Sequence, residues 1–129
     1  MNSAEAEAAV LGACLADSAA VGEVADYLSS GDFYDERHRE IYSAIMNLWA
    51  VGDPISENTV LASLRAHTKL KLAGGAAFLS ELPWGADVAN IDFYSKEVKK
   101  NSLSRRLKTI GKLLESREGD PHEILNETL

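Results

Sequence analysis

An all-helical fold, a compact bundle of about five helices followed by a long projecting helix and a return helix, is what this chain predicts. Three observations carry that expectation. Apolar residues recur at i, i+3, i+4 and i+7 in one segment after another. A Ser, Asp or Asn stands ahead of most of these segments as a candidate N-cap. Only Lys69-Leu70-Lys71-Leu72 alternates like a strand, and it has no second strand to pair with.

Asn2 with Glu5 fits a capping box, and Val10/Cys14 with Leu11/Leu15 make i, i+4 pairs, which predicts a first helix near residues 4 to 16. Ser18 can cap a second helix through Val21, Val24, Ala25 and Leu28, ending by Ser29 or Ser30 ahead of Gly31. Phe33 and Tyr34 are expected to plug the core beside a third helix. That helix is capped by Asp35, carries Ile41, Tyr42, Ile45, Leu48 and Trp49 on one broad face, and is closed by Gly52 and Pro54. Ser56 opens a fourth helix bearing Val60, Leu61 and Leu64, and Lys69–Leu72 then reads as an extended connection to Gly74-Gly75. Ala76 to Leu82 forms a short helix stopped by Pro83, with Trp84-Gly85 as a turn holding an aromatic plug. The expected core is Val10, Leu11, Leu15, Val24, Leu28, Phe33, Tyr34, Ile41, Ile45, Leu48, Leu61, Leu64, Phe78 and Leu82.

From Val88 the pattern stays helical for about thirty residues, with Ile91, Tyr94 and Val98 in one register and Leu103, Leu107, Ile110 and Leu114 in the next. At ~1.5 Å per residue such a helix is roughly 40 Å long, against a radius of gyration of ~14 Å for a compact chain of this size, so part of it must project. Asp120-Pro121-His122-Glu123 supplies a cap, a proline at the first helical position and an acid, and starts a return helix with Ile124, Leu125 and Leu129. The chain thus divides into a bundle over 1–90 and a helical hairpin over 91–129 within one domain. The stripe Leu103, Leu107, Ile110, Leu114 needs a cover, and pairing with Ile124 and Leu125 or with a second copy provides one. Gly111 is a point where two helices could approach closely.

Charge and composition narrow the function. The net charge is −7, which disfavours a protein whose main task is gripping nucleic acid. Yet Lys96 to Arg117 holds eight bases and two acids. No uncharged apolar stretch approaches the ~20 residues of a spanning helix, and Met1 to Glu7 is acidic rather than basic, so the expected location is the cytoplasm. Cys14 sits among Val10, Leu11 and Leu15 and reads as a buried thiol. A phosphate-binding G-x-x-x-x-G-K-[ST] does not occur, His38, His67 and His122 lie far apart without ligand-spaced neighbours, and no Ser or Cys sits in a nucleophile arrangement. This segment is therefore expected to have no catalytic residues, no metal and no cofactor of its own, and to be no enzyme by itself.

Several segments in order resemble the N-terminal domain of DnaB-type replicative DNA helicases, from about Glu5 to Arg106. Glu5-Ala6-Glu7-Ala8-Ala9-Val10-Leu11-Gly12 is similar to that family's opening E-A-E-x-x-V-L-G. Asp32-Phe33-Tyr34 with His38, Ile41, Tyr42 and Ile45 resembles its D-F-Y-x-x-x-H-x-x-I-[FY]-x-x-I. Gly52-Asp53-Pro54-Ile55, then Gly74-Gly75 with Phe78, Leu79, Glu81 and Leu82, then Asn90, Tyr94 and Val98, then Leu103, Arg105 and Arg106 continue the series. The pattern departs at Pro83-Trp84-Gly85-Ala86-Asp87.

The resemblance implies a collar domain that pairs subunits, as a dimer within a hexameric ring, and recruits primase and a helicase loader. The full-length parent would be an ATP-dependent helicase, using ATP and Mg in a motor domain this chain lacks. It also implies structural roles for Asp32, Phe33, Tyr34, His38, Gly74, Gly75, Asn90 and Tyr94, and it favours the subunit interface that the uncovered stripe predicts through Leu103, Leu107, Ile110, Gly111, Leu114, Ile124 and Leu125. A reading of a different class is a stand-alone nucleic-acid-binding helical module built on the basic helix 96–117; the acidic remainder of the surface and the absence of aromatics in that stretch predict weak or no DNA binding instead.

Overall fold

The protein is described by a computed structural model, which describes residues 1–116. Among them the elements are α1 (Ser3–Ala16), α2 (Ala19–Val24), a 3-10 turn (Ser30–Asp32), α3 (Glu36–Ala50), α4 (Glu57–Ala66), α5 (Gly75–Glu81), a second 3-10 turn (Val88–Asn90) and α6 (Ile91–Ser116). The five shorter helices and the long one are those the periodicity predicts. The expected return helix, with Ile124 and Leu125, lies outside the described residues.

Capping chemistry sets most of the helix starts. Asn2 Oδ1 accepts from the Glu5 N–H at 2.8 Å, Asp35 Oδ1 from the Arg37 N–H at 2.9 Å, and Ser56 Oγ from the Thr59 N–H at 3.2 Å. Ser18 behaves differently: its side chain caps nothing, and Asp17 Oδ1 accepts from the Ala19 N–H instead. The second helix also stops at Val24 rather than near Ser29. The chain then continues in turns that hydrogen-bond back to Val21 and Val24 and still bury Leu28.

The core forms where α1 lies against α3 and the first half of α6, with Val10, Leu11, Cys14, Val21, Val24, Phe33, Ile41, Ile45, Val60, Leu64, Leu79, Ile91 and Val98 buried. Tyr42 is its largest side chain; its ring packs 4.7 Å from that of Phe33, and its hydroxyl donates to the Leu28 carbonyl at 3.0 Å. Burial pushes the Cys14 thiol up to about 12, so the cysteine is a packing residue. Leu48, Leu61, Phe78 and Leu82 pack against the core only partly buried.

Three expectations are corrected. Tyr34 is 66% exposed: the backbone at Phe33 is extended, which turns successive side chains to opposite sides, and Phe33 takes the inner one. Trp84 is 77% exposed and plugs nothing. Lys69–Leu72 is not extended; the N–H groups of Ala73, Gly74 and Gly75 bond back to Lys69, Lys71 and Leu70, so the alternation belongs to consecutive turns.

Candidate subunit interface and the carboxylates that position it

Two buried carboxylates hold the segment Asp32-Phe33-Tyr34-Asp35 from opposite sides. Glu7, on α1, is 1% exposed and accepts from the N–H groups of Tyr34 and Asp35 at 2.7 and 3.2 Å, and from Ser3 Oγ at 3.1 Å. His38 Nδ1 lies 2.9 Å from Glu7 Oε1. Burial alone would raise the Glu7 carboxyl. The bonds from His38, Tyr34, Asp35 and Ser3 outweigh it and lower the group below its ordinary value of 4.5. An ionised carboxylate only accepts, so Nδ1 carries the proton.

Asp32 faces the other way, toward α6. Its carboxylate accepts from the Ser29 N–H at 2.8 Å, Ser102 Oγ at 2.7 Å, Lys99 Nζ at 3.1 Å and Arg106 Nη2 at 3.4 Å, and its backbone carbonyl accepts from Arg105 Nη2 at 2.8 Å. Burial again pushes upward, and the Ser29, Ser102 and Lys99 bonds prevail, lowering Asp32 below 3.8. This arrangement accounts for much of the basic run in α6. Lys99 and Arg106 pair with Asp32, Arg105 also lies 5.2 Å over the Tyr34 ring, and Lys96 pairs with Asp92. The cations are anchors between helices as much as a free basic face.

The remaining motif residues form two supporting clusters. Gly74 has φ +96°, and a Cβ there would come within 2.8 Å of Phe78 and 3.1 Å of Arg37. Phe78 stacks 5.8 Å from His38, and the Arg37 guanidinium lies 4.2 Å from the Phe78 ring centroid, so Gly74 lets α5 close onto the His38 end of α3. Gly75 also has positive φ, +89°. Asn90 Nδ2 and Tyr94 OH both donate to Asp87 Oδ2, at 2.9 and 2.7 Å, which fixes the entry into α6. Glu7 and Asp87, the acceptors for His38 and for Asn90 and Tyr94, stand within the quoted segments but are given no role there.

Along α6 the inward face runs through Ile91, Ser95, Val98 and Ser102. The expected interface residues lie elsewhere. Leu103, Leu107 and Leu114 are 48%, 69% and 41% exposed, and Ile110 and Gly111 are half-buried on the same stretch. A Cβ at Gly111 would meet nothing beyond its own helix within 4 Å among the described residues. Ile124 and Leu125 fall outside the described residues. The stripe residues are thus not among the side chains bonded to Glu7, Asp32 or Asp87; the Asp87 cluster fixes where α6 starts, and Asp32 holds it at Lys99, Ser102 and Arg106. Among the described residues no group of His, Cys, Asp and Glu could hold a metal ion, and no helix is long and apolar enough to cross a membrane.

Comparison with known proteins places this geometry. A family model described as the DnaB-like helicase N terminal domain matches residues 1–100. The replicative DNA helicase DnaB of Geobacillus stearothermophilus is 39% identical over 107 residues, which cover 82% of this chain and 24% of that protein. The crystal structure of the N-terminal domain of DnaB helicase from Mycobacterium tuberculosis superposes with a TM-score of 0.84 at 32% identity, covering 95% of this chain and 90% of that one. A DnaB-like replicative helicase, solved in a study of its interactions with primase, has a TM-score of 0.78 at 24% identity over 96% of this chain and 31% of its own, a likeness of fold. The chain spans about a quarter of the length of the curated helicase it matches.

Proposed function

The chain belongs to the DnaB-like helicase N-terminal domain family, and from that premise we propose that it is the oligomerisation and docking collar of a replicative helicase. In this reading the stripe Leu103, Leu107, Ile110, Leu114, together with Ile124 and Leu125, pairs with a second copy, and such dimers build a hexameric ring. The observation that carries it is the exposure of Leu103, Leu107 and Leu114 on a helix whose first half is firmly packed. Gly111, whose Cβ position is open among the described residues, is the point where the partner helix comes closest.

The full-length parent unwinds DNA at the replication fork, with ATP and Mg bound in a motor domain, and acts in the cytoplasm. Primase and a helicase loader are its protein partners; the shared fold with a helicase studied together with primase supports the first of these. The alternative of a stand-alone nucleic-acid module loses ground because Lys96, Lys99, Arg105 and Arg106 already have partners within the chain. Accordingly the chain alone is expected neither to hydrolyse ATP nor to unwind duplex DNA, and to bind DNA weakly at physiological salt. Turnover by a clean preparation, or submicromolar sequence-independent DNA binding, would contradict this.

Sedimentation tests the assembly. The unmodified chain is expected to sediment as a dimer or larger species, and Leu107→Glu as a monomer with unchanged helical circular dichroism. A monomeric unmodified chain at high concentration rejects the interface.

A further inference from the structure

A second surface lies away from the α6 stripe, in a groove of about 410 Å³ between α1 and the Leu82–Asp87 loop. Its floor is made of small α1 residues, Ala8 and Gly12 among them, and Leu82, Trp84 and Tyr94 wall it. Both ends of the loop are fixed. Gly12 lets the Leu82 carbonyl lie against α1 where any Cβ would collide with it, and Asp87 is held by Asn90 and Tyr94. Between these anchors the Trp84 N–H bonds to the Glu81 carbonyl, the Ala86 N–H bonds to the Pro83 carbonyl, both at 3.1 Å, and Gly85 takes φ +67°.

An indole held in two consecutive turns and left 77% exposed is positioned for contact rather than caught in a loose loop. The groove's charge is one-sided: Glu5, Glu81 and Asp87 line it, and among the described residues no Lys or Arg does. We propose that the groove docks a cationic amphipathic helical segment of another protein. The segment's apolar side chains lie against Trp84 and the small-residue floor, and its Lys or Arg side chains meet the three carboxylates. Charge complementarity selects this occupant over an acidic or neutral helix. The inference gives the docking role a place, and rests on the proposed function only for the existence of a protein partner.

Tryptophan fluorescence tests it directly, because Trp49→Phe leaves Trp84 as the sole indole of the two in the chain. The probes are a Leu/Lys amphipathic helical peptide, a scrambled peptide of the same composition and a Leu/Glu counterpart. The Leu/Lys peptide is expected to shift Trp84 emission to the blue. By calorimetry on the otherwise unmodified chain it should bind about tenfold more weakly to Trp84→Ala. Glu5→Gln with Glu81→Gln should also weaken binding and flatten its dependence on salt, with the largest loss at low ionic strength. Equal binding of the scrambled or Leu/Glu peptide overturns the proposal, as does undiminished binding to a folded Trp84→Ala. If Trp84→Ala instead turns a sedimenting oligomer into monomers, a second copy occupies the groove and the proposal is also overturned. A monomeric chain that still binds the Leu/Lys peptide through Trp84 supports the groove while rejecting the assembly.

Discussion

The two halves of α6 invert the usual relation between hydrophobicity and burial. The first half turns Ile91, Ser95, Val98 and Ser102 inward, two of them serines, whereas the second half carries Leu103, Leu107 and Leu114 and leaves them substantially exposed. What differs is the neighbour. Against the first half lie α1, α2 and the Ser30–Asp32 turn, whose Asp32 carboxylate reaches Ser102, Lys99 and Arg106. Small serines let the helix come close enough for that carboxylate to be satisfied. The second half runs beyond this anchor, and its leucines are suited to a surface supplied by another chain.

The largest expected effect comes from removing the anchor. Asp32→Ala leaves Ser102, Lys99 and Arg106 without their acceptor and should cost about 3 kcal/mol, a loss moderated because Arg106 is half exposed and reaches water. Asp32→Asn adds a pH signature. The folded carboxyl sits below its ordinary 3.8, so its charge stabilises the fold fully above that value and the contribution is lost as pH falls through the lowered folded value. The gap in urea midpoint between the unmodified chain and Asp32→Asn should therefore be constant from neutral pH down to about 5 and shrink below about 4. A gap that widens with acid would show that the anchor is not an ionised carboxylate.

The next effect contrasts the halves residue by residue. Ile91→Val removes one buried methylene and should cost about 1 kcal/mol, while Leu107→Ala removes three exposed carbons and should change the stability of the dilute monomer by under about 0.5 kcal/mol. Chemical denaturation measured below the concentration of self-association reads both. Equal losses would mean that Leu107 is covered within its own chain.

How much of this was legible follows from where each signal is written. Asn2, Asp35 and Ser56 announce helices because a cap acts on N–H groups two or three residues away, within reach of a sequence window. The leucine stripe of α6 is likewise local. Glu7 is not: in Glu5-Ala6-Glu7-Ala8 it looks like a solvent-facing helical acid, and its partners Tyr34, Asp35 and His38 are 27 to 31 residues away. Ser95 and Ser102 carry no hydrophobic signal, so the inward face of α6 could not be traced past Val98 by periodicity. Tyr34 and Trp84 were misplaced inward because aromatic character predicts contact without saying which side of the backbone supplies it. The family resemblance marked Asp32, His38 and Tyr94 as structural, but their acceptors and donors came only with the fold.

The smallest effect separates the stability of α6 from its role in assembly, and it rests on Gly111. In the interior of a helix glycine costs roughly 1 kcal/mol relative to alanine, through the backbone freedom it loses on folding. A Cβ there would meet no atom beyond its own helix within 4 Å among the described residues, so nothing they supply requires the glycine. Gly111→Ala should therefore stabilise the monomer by under about 1 kcal/mol, read as a rise in the urea midpoint at high dilution. If the partner helix approaches the stripe at this position, the added methyl holds the two backbones apart, and the same substitution should weaken self-association in sedimentation. The two readouts then move in opposite directions, which neither better helicity nor general destabilisation can produce. A variant that gains stability and associates as tightly as the unmodified chain would remove Gly111 from the interface and shift the contact toward Leu103 and Leu107.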